Sequence, residues 1–282
     1  MKEWDGFDVL DQGELGADVA LSSRDAVLLH GDGLRVLEAL RPNSVDLVFA
    51  DPPYKLSNGG FSVHSGRRVP VNKGGWDESD GLDADFAFHE SWMGAVHDAL
   101  KPGGTAWVSG TYHSIYQCGF AAQRIGYRIL NDVTWLKPNA PPNLSRRFFT
   151  ASHETLLWLR KGNDTKHTFH YDLMREGDWA SDPLKAPGKQ MRSVWSIPAP
   201  KPGEKVFGKH PTQKPVALLE RVVLASSNPG DLIVDPFSGS ATTGIAAVRH
   251  HRRFLGIEMD EEFVALAKAR LESELGREEA HA

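Results

Sequence analysis

The sequence is almost free of cysteine, with Cys118 as the one cysteine among 282 residues. A chain with one cysteine forms neither an internal disulfide nor a cysteine-rich zinc site, which excludes small disulfide-stapled secreted domains and favours a reducing environment. Long apolar runs are also missing, because no stretch approaches the roughly 20 residues that a membrane-spanning helix needs. Residues 1–18 carry Lys2 as their only basic residue and contain no apolar run, unlike a signal peptide. Together these absences predict a cytoplasmic protein.

Positive charge is not in excess either, because 32 Lys and Arg stand against 37 Asp and Glu, for a net charge of −5. This balance argues against a protein that coats nucleic acid indiscriminately, although an acidic body can still carry a local basic cleft. The 12 histidines show no spacing typical of metal ligands, so we expect no metal site. Hydrophobic residues make up 40% of the chain, enough for a substantial core without disulfides or metals.

Strand-like and helical patterns alternate along most of the chain. Apolar runs at 26–30 and 45–50 flank a helical pattern in which Leu34, Leu37 and Leu40 share one face. This rhythm predicts an α/β fold with an open, mostly parallel sheet and helices on both faces. Further strands are predicted at 105–109, 129–136, 156–159, 232–234 and 253–257, and further helices at 84–100, 112–124, 215–226, 242–249 and 261–275.

Three stretches fall outside this rhythm. Residues 1–24 are acidic and predict a loosely ordered arm that precedes one domain, residues 25–282. Residues 55–76 are rich in glycine and polar groups and predict a mobile loop. Residues 160–209 are polar and contain prolines, which predicts an irregular insertion into the domain.

The turn at residues 235–244 has features of a nucleoside-binding site. A buried strand leads into Asp235, and Gly239 lets the backbone approach a ligand closely where the next helix begins. Glu258 ends the following strand about 20 residues later, the spacing at which an acidic residue accepts hydrogen bonds from ribose hydroxyls. Only Gly239 and Gly244 are present, so the full dinucleotide fingerprint is absent. Taken alone, the region fits a dinucleotide, S-adenosylmethionine or a purely structural turn.

Asp51-Pro52-Pro53-Tyr54 follows the strand at 45–50, at the end where ligands bind in such sheets. The two prolines fix the backbone and remove two N–H donors, so Asp51 and the Pro52 carbonyl can both accept hydrogen bonds from one NH₂ group. Two acceptors on an exocyclic amine favour a pyramidal nitrogen whose lone pair points at a sulfonium methyl. Tyr54 offers an aromatic face for a base. The alternative is a tight proline turn with a surface tyrosine.

A third motif, His210-Pro211-Thr212-Gln213-Lys214-Pro215, precedes a helix and by itself fits a helix entry equally well. With the other two motifs, the chain resembles the β-class DNA amino-methyltransferases. In that class a catalytic motif of the Asp51–Tyr54 type precedes the cofactor loop, here Asp235–Gly239, and a target-recognition region, here 160–209, separates them. The resemblance covers nearly all of residues 25–272, and it is closest to adenine methylases of the pneumococcal DpnA kind and of the cell-cycle-regulated GANTC kind. It includes His30–Asp32, Leu56–Gly60, Asn131–Trp135, Pro142-Asn143, His153–Thr155 and Lys209–Pro215.

The resemblance implies a Rossmann-like methyltransferase fold with permuted motif order and S-adenosylmethionine as the cofactor. It assigns catalysis to the motif Asp51, Pro52, Pro53 and Tyr54. Asp32 matches a position near the cofactor adenine, Glu258 matches the ribose-binding acid, and residues 212–214 match the segment beside the methionine part. The full set of residues to which the resemblance assigns cofactor binding is Asp32, Asp235, Phe237, Ser238, Gly239, Ser240, Thr242, Glu258, Thr212, Gln213 and Lys214. Ala241 is a departure, because many relatives carry glycine there.

Basic residues near these motifs are the candidates for DNA contacts. The loop at 55–76 contains no acidic residue and could close over a flipped base. The insertion at 160–209 holds more Lys and Arg than Asp and Glu, together with Trp179 and Trp195, and is the expected target-recognition region. The candidate DNA-binding residues are Lys55, Arg67, Arg68, Lys73, Arg146, Arg147, Lys189 and Arg192.

The implied reaction is methyl transfer to N6 of an adenine that has been flipped out of DNA. Flipping costs a few kcal/mol, and stacking on an aromatic ring returns roughly 1–3 kcal/mol per base. Asp51 favours adenine, since cytosine-N4 enzymes often carry serine there. Cys118 follows Gln117 rather than proline, which excludes methylation at carbon 5 of cytosine. The alternatives are a cytosine-N4 methyltransferase, a catalytically silent DNA-binding regulator and a nicotinamide-dependent oxidoreductase, and relatives suggest a homodimer.

Overall fold

The computed structural model describes residues 9–10, 16–54, 61–64, 67–70, 79–144, 146–163, 165–179 and 181–281. The strands are β1 (Ala17–Ser22), β2 (Ala26–Gly31), β3 (Val45–Ala50), β4 (Phe61–His64), β5 (Arg67–Pro70), β6 (Leu100–Gly110), β7 (Arg128–Leu136), β8 (His153–Arg160), β9 (Val194–Ser196), β10 (Leu232–Asp235) and β11 (Arg253–Glu258). The helices are α1 (Gly33–Glu38), α2 (Leu82–Ala99), α3 (Ile115–Ile125), α4 (Tyr171–Glu176), α5 (Val216–Ser226), α6 (Thr242–Arg249) and α7 (Glu261–His281).

Nine of the described strands form one sheet in the order β1-β2-β11-β10-β3-β6-β8-β7-β9. The five strands from β2 to β6 in this order run parallel, whereas β8 is antiparallel to both β6 and β7. Parallel strands are buried on both faces, which explains why β3 and β10 are nearly continuous apolar runs. The parallel centre confirms the predicted α/β architecture, and it brings the carboxyl ends of β2, β3, β10 and β11 to one edge.

Alternate residues of each strand feed two apolar cores on opposite faces of the sheet. Val27 and Leu29 of β2 pack in the core that α1, α2 and α3 cover. Ala26 and Leu28 of the same strand pack in the core that α5, α6 and α7 cover. This division follows from the two-residue period of a strand, and it gives the sheet the helices on both faces that the sequence predicts.

Three stretches differ from the expectations. Residues 17–22 of the expected arm form β1, an edge strand antiparallel to β2, because the arm contains a short alternating segment that fits beside β2. The expected loop at 55–76 contains the antiparallel hairpin β4–β5, and its other residues lie outside the described part of the chain. The insertion at 160–209 contains α4, β9 and a 3-10 turn at Pro202–Lys205, and β9 joins the sheet beside β7.

The helices show no segment suited to a bilayer. Across the described residues, none combines the length and apolar composition that a membrane crossing requires.

Candidate functional site

A cavity of about 620 Å³ opens at the edge where the parallel strands end. The turns after β2, β3, β10 and β11 form its walls, together with the segment that precedes α5. All the residues predicted for catalysis or cofactor binding line it: Asp32, Asp51, Pro52, Pro53, Tyr54, Thr212, Gln213, Lys214, Asp235, Phe237, Ser238, Gly239, Ser240, Thr242 and Glu258. The fold therefore brings three motifs that are far apart in sequence into contact with one space.

The turn between β10 and α6 depends on unusual backbone conformations. Gly239 has a φ of 51°, and a Cβ at this position would lie 3.1 Å from the ring of His210. Glycine is therefore favoured by its conformation, and a larger residue would also crowd the ring of His210. Ala241 also adopts a left-handed φ, 55°, although it is not glycine. A left-handed φ favours glycine, so Ala241 adopts this conformation with some backbone strain.

Glu258 closes the cavity wall at the end of β11. Its Oε2 accepts a hydrogen bond from the Gly239 N–H at 2.7 Å, and its Oε1 accepts from the Met259 and Asp260 N–H groups, both at 2.9 Å. Burial raises the pKa of this carboxyl. The three backbone donors hold both carboxylate oxygens in place against the cavity.

The turn between β2 and α1 is fitted closely to the turn after β10. Asp32 caps α1 by accepting hydrogen bonds from the Leu34 N–H at 2.8 Å and the Arg35 N–H at 3.4 Å. A Cβ on Gly33 would lie 2.3 Å from the carbonyl oxygen of Pro236, so only glycine lets the two turns meet. Asp32 is thereby held at the cavity wall.

Asp235 is buried beneath the cavity, and its side chain holds the turn between β10 and α6 in place by hydrogen bonds. Its Oδ1 accepts a hydrogen bond from the Phe237 N–H at 3.1 Å, and its Oδ2 accepts from the Thr243 hydroxyl at 2.6 Å. Burial raises the pKa of Asp235 to about 7, against the lowering effect of these two hydrogen bonds.

This raised pKa predicts how stability depends on pH. The folded protein holds the Asp235 proton up to about pH 7, whereas the unfolded chain releases it near its ordinary value of 3.8. Between these values the native state binds more protons, so the Asp235 contribution to the free energy of unfolding falls as pH rises and levels off above pH 7. Asp235→Asn should remove this slope. Denaturant unfolding of both proteins from pH 4 to pH 8 measures the difference, and parallel curves would contradict the assignment.

The Asp51–Tyr54 motif lies in a buried network of charges. Asp51 Oδ1 accepts a hydrogen bond from the Tyr54 hydroxyl at 2.6 Å, and Asp51 Oδ2 accepts from the Lys214 ammonium. Lys214 lies 3.2 Å from the Tyr54 oxygen and 3.5 Å from Glu154 Oε2. Burial lowers the pKa of Lys214, but the charges of Asp51 and Glu154 outweigh it and the pKa is raised. The network therefore keeps a protonated lysine between two carboxylates.

Tyr54 is buried, with only 5% of its surface exposed, and its hydroxyl contacts Asp51, Glu154 and Ser109. This excludes the alternative of a proline turn with a surface tyrosine. Burial, reinforced by the nearby carboxylates, raises the pKa of the Tyr54 hydroxyl well above its usual value, so the group stays neutral and donates a hydrogen bond.

Sequence reasoning missed Glu154, Lys137 and Ser109 as members of this network. Glu154 accepts a hydrogen bond from the Lys137 ammonium and lies near Lys214. Burial raises the pKa of Glu154, but the two lysines outweigh it and hold the value at about 2. The signal in the sequence was a carboxylate at the start of the apolar strand β8. Lys214 lines the cavity, where the resemblance places it beside the cofactor's methionine part, and its ammonium also contacts the Asp51–Tyr54 motif.

The candidate DNA-binding residues are distributed around the loops. Arg146 and Arg147 are exposed in the segment between β7 and β8, beside Phe148 and Phe149, which are 68% and 98% exposed. Lys189 and Arg192 are exposed in the insertion between α4 and β9. Arg67 and Arg68 lie on β5, where only the backbone is described, and Lys55 and Lys73 lie outside the described residues.

Trp195 is not available for contact with bases. It is buried in the core that α5 covers, and its ring lies 5.8 Å from that of Trp107. The guanidinium of the buried Arg221 lies 4.9 Å from the Trp179 ring and 5.1 Å from the Trp195 ring, and it forms an ion pair with Asp182 at 2.6 Å. These two tryptophans and Asp182 therefore tie the insertion to α5, because cation–π contacts and a paired buried charge link the two segments.

Comparison with known proteins gives consistent matches along the chain. The family model described as DNA methylase matches residues 45–269. The chain is 48% identical over 250 residues to type II methyltransferase M2.DpnII of Streptococcus pneumoniae, a match that covers 88% of this chain and 90% of that protein.

Two solved structures share the fold. The M1.HpyAVI–S-adenosylmethionine complex has a TM-score of 0.63 at 25% identity and covers 87% of this chain and 98% of that one. The cytosine-N4-specific PvuII DNA methyltransferase has a TM-score of 0.70 at 21% identity, with coverage of 93% and 95%. The Rossmann-like methyltransferase fold expected from the sequence is thereby confirmed.

Proposed function

This chain belongs to the N6/N4 family of DNA methylases, which makes it an S-adenosylmethionine-dependent DNA methyltransferase, and we propose that its acceptor is N6 of adenine. The observation that carries the proposal is the shared cavity, in which Asp51 follows β3 and Glu258 ends β11, with β10 between the two strands. The Asp51 side of the cavity suits an amine acceptor, and the Glu258 side suits a nucleoside. Restriction-modification is the setting in which such relatives work, since M2.DpnII is named a type II methyltransferase.

The cofactor fits the part of the cavity between β10 and β11. Ser238 Oγ and Gln213 Oε1 are buried there without a hydrogen-bond partner, and both residues line the cavity. Buried polar atoms without partners are costly, so we infer that they bind polar groups of the cofactor. Gly239 allows close approach of the ligand, and Glu258 accepts hydrogen bonds from the ribose hydroxyls.

The adenine amine is proposed to bind at Asp51. An ionised carboxylate accepts about four hydrogen bonds, and Tyr54 and Lys214 use only one on each oxygen. Asp51 and the Pro52 carbonyl therefore have the capacity to hold the amine hydrogens and to direct the nitrogen lone pair. When bound, S-adenosylmethionine supplies an activated methyl group on a sulfonium sulfur. Asp51 would direct the amine toward that methyl group and is placed to receive the proton that the amine loses.

Adenine is favoured over cytosine by Asp51. Cytosine-N4 enzymes of the class often carry serine at this position, whereas aspartate is more typical of the adenine enzymes that the sequence resembles. The cytosine-N4-specific PvuII enzyme shares the fold, so the base is decided by the residues of the pocket rather than by the architecture.

Asp51 and the Pro52 carbonyl line the cavity, so the base must leave the duplex to reach them. Flipping costs a few kcal/mol, and contact with aromatic rings offsets part of it. Arg146, Arg147, Lys189 and Arg192 are proposed to bind phosphates, because they are exposed cations on the loops around the sheet.

The proposed function is tested by incubating the purified protein with methyl-labelled S-adenosylmethionine and unmethylated genomic DNA. The DNA is then digested to nucleosides, and the labelled nucleoside is identified by mass spectrometry. We expect N6-methyladenine, and sequencing of the modified positions then gives the target site. Label in N4-methylcytosine would overturn the base assignment, and cofactor binding without label in DNA would favour the silent DNA-binding regulator.

A further inference from the structure

Glu154 is a buried carboxylate that the proposed reaction does not itself use. It lies on β8, which is separated from β3 in the sheet by β6. Ala50 of β3 pairs with Val108 of β6, and the adjoining Ser109 pairs with Leu156 of β8. This register places Glu154 level with the Asp51–Tyr54 motif, although a hundred residues of sequence separate Glu154 from Tyr54.

The contacts of Glu154 connect Lys137 with the two groups that contact Asp51. Its Oε2 lies 3.1 Å from the Tyr54 hydroxyl and 3.5 Å from the Lys214 ammonium. Its Oε1 accepts a hydrogen bond from the Lys137 ammonium. Two cations and two carboxylates thus alternate in the order Lys137, Glu154, Lys214 and Asp51, and their formal charges cancel.

The single proton of the Tyr54 hydroxyl can serve one carboxylate at a time. Its distance to Asp51 Oδ1, 2.6 Å, is shorter than its distance to Glu154 Oε2, 3.1 Å, so the proton is donated to Asp51. Glu154 therefore affects the Asp51–Tyr54 motif chiefly by orienting Lys214, whose ammonium lies beside the Tyr54 oxygen. Because Lys137 occupies Oε1, Glu154 offers its Oε2 side to Lys214.

We infer that Glu154 is a positioning residue for methyl transfer, which holds the Lys214 ammonium against Asp51 so that the Asp51 side chain stays fixed toward the amine. Lys214 is buried, and a buried ammonium requires compensating negative charge. Asp51 alone would supply one charge that is also needed by the substrate amine. Glu154 supplies the second, so Lys214 stays in place when Asp51 receives a proton during turnover.

A role confined to holding the strands together makes different predictions from a positioning role. A structural carboxylate would change stability and leave the pH dependence of the reaction unchanged. A carboxylate that keeps Lys214 protonated sets the pH at which that proton is lost. Since Glu154 raises the pKa of Lys214, its removal should lower that pKa and move the loss of activity to lower pH.

The test measures the pH profile of kcat for methyl transfer to genomic DNA, together with the Kd for S-adenosylmethionine. For Glu154→Gln we expect kcat to fall by at least about tenfold, Kd to stay within about twofold, and the basic limb of the profile to move to lower pH. Glu154→Asp keeps the charge on a shorter side chain, so its basic limb should stay near that of the wild type while kcat falls. If Glu154→Gln fails to fold, Lys137→Gln decides the matter: it removes the second cation on Glu154, so the Glu154 charge acts on Lys214 alone and the basic limb should move to higher pH, whereas an unchanged limb would overturn the inference.

The matched control is Glu274→Gln, which removes a carboxylate that is similarly buried and paired with Arg249 through a 2.6 Å contact, on α7 and outside the cavity. This variant should keep the wild-type pH profile even if its stability falls. An unchanged basic limb and unchanged kcat in Glu154→Gln, or a displaced limb in Glu154→Asp, would overturn the inference. The inference rests on the proposed function, and the two fail differently: a wild-type protein that methylates no DNA refutes the function, whereas an active wild type with an equally active Glu154→Gln refutes only the role of Glu154.

Discussion

Asp51→Ala is expected to reduce kcat for DNA methylation by about 10³-fold or more, the range in which loss of an acid–base group or a transition-state hydrogen bond falls. The variant removes the acceptor for the amine hydrogens and the group placed to receive the released proton. The Kd for S-adenosylmethionine should change little, because Asp51 lies on the β3 wall, whereas the proposed cofactor contacts lie on the β10 and β11 walls and on Gln213 before α5. Single-turnover kinetics and calorimetric titration with cofactor measure the two quantities separately.

Asp51→Asn is the matched control for this prediction. It keeps the shape of the side chain and one carbonyl acceptor but removes the charge that Lys214 contacts. We expect its kcat to lie between those of the wild type and Asp51→Ala. Thermal unfolding is measured alongside, since removing one partner of a buried ion pair costs about 3–5 kcal/mol. A loss of cofactor affinity as large as the loss of kcat would move Asp51 from catalysis to cofactor binding.

Glu258→Ala is expected to show the opposite pattern, a Kd for S-adenosylmethionine raised by about 10- to 100-fold with a much smaller change in kcat at saturating cofactor. Hydrogen bonds to a charged group contribute about 1.5–3 kcal/mol, which corresponds to this range. The variant also leaves the Gly239, Met259 and Asp260 N–H groups without their acceptor, which loosens the turn against which the cofactor is proposed to lie.

The control for Glu258→Ala is Glu261→Ala, an exposed carboxylate three residues further along that does not line the cavity. It should bind cofactor as the wild type does. If Glu258→Ala bound S-adenosylmethionine with wild-type affinity while kcat fell, the ribose-binding role would be refuted and Glu258 would have to act on the acceptor side. The two variants together therefore separate the two halves of the cavity.

The elements of the parallel centre were predictable because their patterns are local. The helix predicted at 242–249 has those bounds in the structure, and the strand predicted at 232–234 extends by one residue to Asp235. Motifs at the carboxyl ends of such strands share one edge of the sheet, so their convergence on one cavity followed from the α/β alternation.

The edges of the sheet were less predictable. Residues 17–22 pair with β2 only because that edge of the sheet is available to them. Trp195 was taken for a DNA contact because its segment is polar, yet pairing of β9 with β7 turns it into the core. In both cases a tertiary neighbour decided the outcome, as is usual for short strands whose propensity is context-dependent.

By itself, the sequence determined the fold class, the family resemblance and the set of residues that meet at the cavity, because each depends on spacing within short segments. Only the tertiary structure decided the charge network around Asp51. Glu154 and Lys137 come from β8 and the end of β7, and the direction of the Lys214 ammonium depends on both carboxylates. The partner of a buried charge is set by sheet order and strand register, and no local pattern in the sequence records these long-range pairings.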